Sequence, residues 1–474
     1  MEARRWSRRL FLSLAAVILG VCGLALLAQP AMAVSTNDYG RDLAVDASGN
    51  VYVTGPAKAL NQNQVGVVSQ FLTMKYNASG VKQWTRYYGP SISPGDIEGY
   101  EPYALALDNQ GNVFVAGIYA SLFSARIVLI KYNSAGTRLW AWSAQRYVLA
   151  TVALAVDPGG NAYVTAFVRY SDLQNPGIQT LKFSPGGTVL WHSLYQGAIS
   201  YRADLPRAIV VNSGYLYVAG TTKNKSGKFQ PVIFRYNPGT GGLIWSLILP
   251  SVTQPLDGKF SPGKPLAVSS TGTVHYTFPH LNAAGKYCWA TVKYLYNQTN
   301  PWGSGAIKLF GGNWGNDIPR SLALDPSGNI YVTGNLVGYH MLYNSFWAVK
   351  YSAAGAYSWG INGGSAIQRT TTPSSLAVDP VSRKVYITGK DQGATDTKMV
   401  ALAIAADGKS IAWKKSWSNS NFNTNNQGMA LALGPSNLSV YVVGYGYNAG
   451  LTKSFDFLTL KYTSGGTLSW VNSQ

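Results

Sequence analysis

LAVDASGNVYVTG (Leu43–Gly55) and FLTMKYNASGVKQW (Phe71–Trp84) decide the fold of this 474-residue chain. Each is an apolar run, a short polar turn and a second apolar run. Val, Tyr and Thr in period-2 alternation favour strands over helices. In the first stretch Asp46 can accept bonds from the turn's own N–H groups, and Gly49 supplies the left-handed residue that closes the hairpin. In the second, Asn77-Ala78-Ser79-Gly80 turns the chain in the same manner. The two stretches together predict four antiparallel strands in about 55 residues.

The pattern recurs. LALDNQGNVFVAG (Leu105–Gly117) precedes IVLIKYNSAGTRLW (Ile127–Trp140), LALDPSGNIYVTG spans Leu322–Gly334, and FLTLKYTSGGTLSW spans Phe457–Trp470. A tryptophan closes each of eight units: Trp84, Trp140, Trp191, Trp245, Trp302, Trp359, Trp413 and Trp470, spaced 51 to 57 residues apart. A four-stranded unit repeated at this period predicts a β-propeller of eight blades in one domain, 34–474, with seven as the alternative count. Each blade should begin with its inner strand. The eight tryptophans should be structural, wide flat side chains on the outer strand that seal the gap between neighbouring blades.

The hairpin turn carries Asp46, Asp108, Asp157, Asp325 and Asp379 in five units, and Asn212, Ser269 and Gly434 in the others. D-x-x-G-N lacks the alternating acidic ligands and distal Glu of a calcium loop, so a turn-closing role is expected and no metal site. The pattern LAVDxxGNVYVTG followed by LxKYNxxGxxxW resembles the SBBP beta-propeller repeat of bacterial secreted and surface proteins. That resemblance covers the span from Asp38 to Trp470. It implies a propeller and an extracytoplasmic setting, and no reaction. The ending Gly80-Val81-Lys82-Gln83-Trp84 also resembles the tryptophan-docking motif of eight-bladed quinoprotein dehydrogenases. Their acidic calcium and quinone pocket has no counterpart here, and no cofactor is expected.

Met1–Arg9 holds Arg4, Arg5, Arg8 and Arg9, Leu10–Ala28 is apolar, and Ala31-Met32-Ala33 is a small-residue cleavage site. Residues 1–33 therefore read as a signal peptide, and Ser7-Arg8-Arg9-Leu10-Phe11-Leu12 resembles the twin-arginine consensus. This places the protein in the periplasm, secreted or on the cell surface, and no later apolar run reaches the ~20 residues of a membrane span. Removal of 1–33 leaves 34 basic against 18 acidic residues, a net charge of +16. Such a field attracts polyanions. Export argues against nucleic acid and for an anionic glycan, lipid headgroup or protein partner; the plainer reading is that lysines keep the surface soluble. Only Cys288 remains after cleavage, so no intrachain disulfide forms and the mature chain is expected to act as a monomer held by its sheet faces.

Catalytic patterns are lacking. His192, His275, His280 and His340 show no metal-ligand spacing, there is no nucleophile elbow, phosphate loop or dinucleotide fingerprint, and Glu98 and Glu101 lie together in what reads as a solvated connector. The one constellation is Asp38-Tyr39-Gly40-Arg41, Asp204-Leu205-Pro206-Arg207 and Asp317-Ile318-Pro319-Arg320, each ending five residues before its turn residue, with Lys264 in the same place in unit 5. Either each Asp pairs with its Arg and braces the connector, or Arg41, Arg207, Lys264 and Arg320 form a partial ring of donors at the channel mouth. The loops on that face carry Tyr119, Phe123, Tyr170, Lys223–Lys228 with Phe229, Tyr339, His340, Tyr343, Tyr445 and Tyr447. A non-catalytic exported scaffold binding glycan or protein at the channel mouth is the leading expectation. An extracytoplasmic lyase, hydrolase or quinoprotein with its pocket there is the alternative.

Overall fold

The computed structural model describes residues 38–474 apart from 60–67, 90–97, 122–124, 145–147, 169–175, 198–203, 251–262, 296, 303–306, 313–314, 338–343, 364–369, 394–395, 419–425, 436–438 and 449–453. Residues 1–33, read above as a signal peptide, thus lie outside the described residues, as do Phe123, Tyr170, Tyr339, His340 and Tyr343. The described residues hold 32 strands. In blade 1, β1 (Asp42–Val45), β2 (Val51–Ala59), β3 (Val68–Tyr76) and β4 (Lys82–Tyr88) pair in sequence, each antiparallel to the one before. Every later unit repeats this meander, which makes eight four-stranded blades. The first two join through a single parallel bridge between Ser69 and Gly99. The first strands pack on one another in order around a ring, and that of blade 8 (Gln427–Leu433) packs on that of blade 1, which closes it. They are the inner strands, as the unit order predicts.

The second and third strands are buried along most of their length, while the fourth strands alternate with exposed positions. Apolar side chains between neighbouring blades make the core; one cluster joins Phe114, Ala116 and Leu129 of blade 2 to Val164 and Phe183 of blade 3. The turn aspartates act as expected. Asp46 Oδ1 accepts from the Ser48 and Asn50 backbone N–H, both at 2.9 Å, and Oδ2 accepts from the Asn50 amide and the Tyr52 hydroxyl.

The tryptophans lie on the outer strands, except Trp302, which precedes its strand (Lys308–Phe310). Trp84 and Trp245 are buried and the other six half-buried. Each of seven packs over the third-turn glycine of the next blade. At Gly136 (φ +81°) a Cβ would stand 2.8 Å from the Trp84 ring, so both conformation and space require glycine. The indole N–H of Trp84 then donates to the Ser134 carbonyl, which also accepts from Lys75 Nζ. Trp140 with Lys131 binds the Pro185 carbonyl, Trp191 with Lys182 that of Pro238, and Trp470 with Lys461 that of Ala78. Seven third strands carry a cation here (Lys75, Lys131, Lys182, Arg235, Lys293, Lys350 and Lys461). Part of the positive charge is therefore built into the blade contacts and does not serve solubility alone.

Candidate functional site

Two of the four basic positions, Arg207 and Arg320, owe their placement to a backbone irregularity. In blades 2, 4, 6, 7 and 8 the inner strand slips register by one residue, and the extra residue is Tyr103, Arg207, Arg320, Ser374 or Met429. A bulge leaves its extra residue out of the ladder and re-aims it. Proline precedes it in four of these blades (Pro102, Pro206, Pro319, Pro373), where the missing N–H costs nothing. Opposite stands the glycine that ends VYVTG. At Gly334 a Cβ would meet the Ile318 carbonyl oxygen at 2.3 Å. Gly334 is thus what lets the bulge of Arg320 form.

Arg41, Tyr103, Val152, Arg207, Lys264, Arg320 and Met429 all sit five residues before their turn residue, and all line one cavity of about 430 Å³. The four basic positions from the sequence therefore do gather in one place. Among the described residues the channel is walled by first strands, chiefly Val152–Val156 of blade 3 and Arg207–Val211 of blade 4. Ser374 of blade 7 is buried and its hydroxyl accepts from the Gln427 amide at 3.1 Å.

Asp204 and Asp317 are held by other donors than their arginines. Asp204 accepts from the Gly197 N–H at 2.6 Å and the Thr222 hydroxyl at 2.7 Å. Asp317 accepts from the N–H groups of Gly312 and Val337 at 2.5 and 2.7 Å. Both are buried and brace the connector; burial raises their pKa values against these bonds. Asp38 is half-buried and outside the cavity lining. Asp204 and Asp317, expected as binding groups, are thus engaged by backbone N–H groups and, for Asp204, the Thr222 hydroxyl, and neither lines the cavity.

The cations differ. Arg41 is tied to Glu101 Oε2 at 2.5 Å, bonds the Tyr39 hydroxyl, and has its guanidinium over the Tyr103 ring at 4.3 Å. Burial would lower its pKa, but Glu101, Tyr39 and Tyr103 outweigh that and hold it above the ordinary value. Glu101 is therefore a buried partner of Arg41 and not a solvated loop residue. Lys264 is exposed at the rim. Arg320 is half-buried, and its Nε meets no partner among the described residues. Burial lowers the Arg320 pKa, and the same burial with Arg320 nearby lowers that of Lys390. Asp42, which the sequence reading passed over, also lines the cavity; burial raises its pKa, countered by Lys264 and by the Leu105 and Leu43 N–H groups.

Tyr119, Phe229 and Tyr445, expected on the 2–3 loops, lie instead on strands: Tyr119 packs on Tyr100 at 4.8 Å, Phe229 lies under Lys223, and the Tyr445 hydroxyl donates to Gln427. Tyr445 also packs edge-on against Tyr39 of blade 1. Tyr103, Val152 and Met429 were missed because the five-residue offset was followed only where it ended in a cation. Among the described residues no three His, Cys, Asp or Glu gather, and no helix is long and apolar enough to cross a membrane.

Two stretches, 26–57 and 307–335, match the SBBP family, described as a beta-propeller repeat. These two stretches are similar to the SBBP repeat. No curated protein matches it in sequence. Among solved structures it is similar to the quinohemoprotein alcohol dehydrogenase from Comamonas testosteroni (11% identity, 78% of this chain and 67% of that one, TM-score 0.48). It is also similar to the beta-propeller domain of the Trilobed protease from Pyrococcus furiosus (11% identity, 78% and 97% covered, TM-score 0.44).

Proposed function

We propose that this protein is an exported, non-catalytic propeller that acts as a monomer in the periplasm or at the cell surface and binds an anionic group, on a glycan, lipid or protein, at its channel. The observation that carries this reading is the convergence of Arg207, Lys264 and Arg320, on three consecutive blades, on one cavity. Cations gathered in a concave, partly desolvated site focus a positive potential and present forked donors to a carboxylate or sulfate. The carboxylates nearby are engaged: Glu101 holds Arg41, and Asp42 accepts two backbone N–H groups. Among the described residues that leaves no pair suited to acid–base work on a substrate, which supports a binding role over the enzyme alternative.

The test is binding of the mature chain to a heparin oligosaccharide at low salt, with turnover of polysaccharides assayed in parallel. Arg207→Ala with Arg320→Ala should weaken binding more than tenfold while the melting temperature stays close to the parent. Unchanged binding of the double variant would move the site elsewhere, and turnover would replace the scaffold reading with an enzyme.

A further inference from the structure

The ring of residues five places before the turn is chemically two-sided. Blades 4, 5 and 6 contribute Arg207, Lys264 and Arg320; blades 8, 2 and 3 contribute Met429, Tyr103 and Val152. In a ring of eight, each blade faces the one four places on. Arg207 thus stands across from Met429, and Arg320 across from Tyr103. Arg41, between the apolar members, is already closed off by Glu101 and two tyrosines. Below the ring, the walls of blades 3 and 4 offer only Val, Ala, Leu and Ile side chains.

Among the described residues of the lining, the uncharged polar side chains are three, and each is committed within the protein. The Tyr276 hydroxyl donates to the Gly220 carbonyl at 3.2 Å, Thr277 Oγ1 to the Ala290 carbonyl at 2.9 Å, and the Tyr103 hydroxyl to Glu101 at 3.4 Å. A sugar ring needs hydrogen-bond partners for its hydroxyls, and burying them without partners costs about 1–3 kcal/mol each. A hydrocarbon body needs none, and gains from contact with Met429, Val152 and the walls beneath.

We propose that the ligand is an organic monoanion with an apolar or aromatic body: a carboxylate held by the Arg207–Lys264–Arg320 arc, with its hydrocarbon part against the Met429–Tyr103–Val152 arc. This rests on the reading that the channel takes an anion, and it narrows the class to amphiphilic acids over polyhydroxylated ones.

Two acids of equal charge separate the ideas. Calorimetric titration of the mature chain with 3-phenylpropanoate and with glucuronate at low salt should show the first binding at least tenfold more tightly. Met429→Ser should weaken 3-phenylpropanoate severalfold and leave glucuronate unchanged, whereas Arg320→Gln should weaken both; thermal melts of both variants establish that they fold. Glucuronate binding as tightly as 3-phenylpropanoate, or Met429→Ser affecting both acids alike, overturns this inference and leaves the anion-binding reading in place. If neither acid nor a heparin oligosaccharide binds, both fall.

Discussion

Gln298 occupies the third turn of blade 5 with φ +69°, where the seven other blades place glycine. A side chain in the left-handed region costs about 1 kcal/mol, and it stands where other blades receive a tryptophan. Gln298→Gly should therefore stabilise the protein by about 0.5–1 kcal/mol in denaturant melts; a loss of stability would show that the glutamine is held by contacts of its own. His275 is a second local exception, a fully buried imidazole where other blades have tyrosine or phenylalanine. Burial first, then Lys293, lowers its pKa from 6.5 to about 3. The unfolded chain takes up this proton below about 6.5 and the fold resists it, so the neutral imidazole's contribution is present above 6.5 and lost as pH falls toward about 3. His275→Phe should flatten stability against pH across that window relative to the parent, and an unchanged slope would place the acid sensitivity elsewhere.

At the scale of the blade, two devices repeat. One is the docked tryptophan with its lysine. Trp140→Ala removes ring packing on Gly187 and Phe183 as well as the bond to Pro185. Because Trp140 is half-buried, a cost of about 2–4 kcal/mol is expected in denaturant melts; less than 1 kcal/mol would mean the outer strand can close without it. The other is the bulge. Gly334→Ala forces a Cβ against the Ile318 carbonyl, so it should cost about 1–3 kcal/mol and weaken anion binding together, since Arg320 is aimed by the same bulge. Loss of stability with full binding would uncouple the two. The repeat was legible because alternation, turn glycines and tryptophans are written in side-chain types. The ring was only half legible. A bulge is a backbone event that leaves no residue type behind, so Arg207 and Arg320 stood out by charge while Tyr103 and Met429 did not, although the preceding prolines mark four of the five bulges. The role of Lys75 and its equivalents was hidden because each acceptor lies in the next blade, more than 50 residues away.

For the molecule as a whole, the proposal of export rests on residues 1–33, and it can be tested apart from the channel. Arg8→Lys with Arg9→Lys should retain the protein in the cytoplasm if the twin-arginine route carries it, as read by fractionation; undiminished export would leave only a general signal peptide. The ring itself closes without exchanging a strand. Blade 8 meets blade 1 through Trp470 and Lys461 on the Ala78 carbonyl, the Tyr441 hydroxyl on Gly49 and the Gly40 N–H on Gly444, the same kind of contact that joins interior blades. The seam is thus energetically ordinary, and the order in which blades are connected is not what holds them. A circularly permuted gene, with residues 474 and 38 joined by a linker of about five residues and new termini cut in the 251–262 connector, should yield the same ring with nearly the same melting temperature.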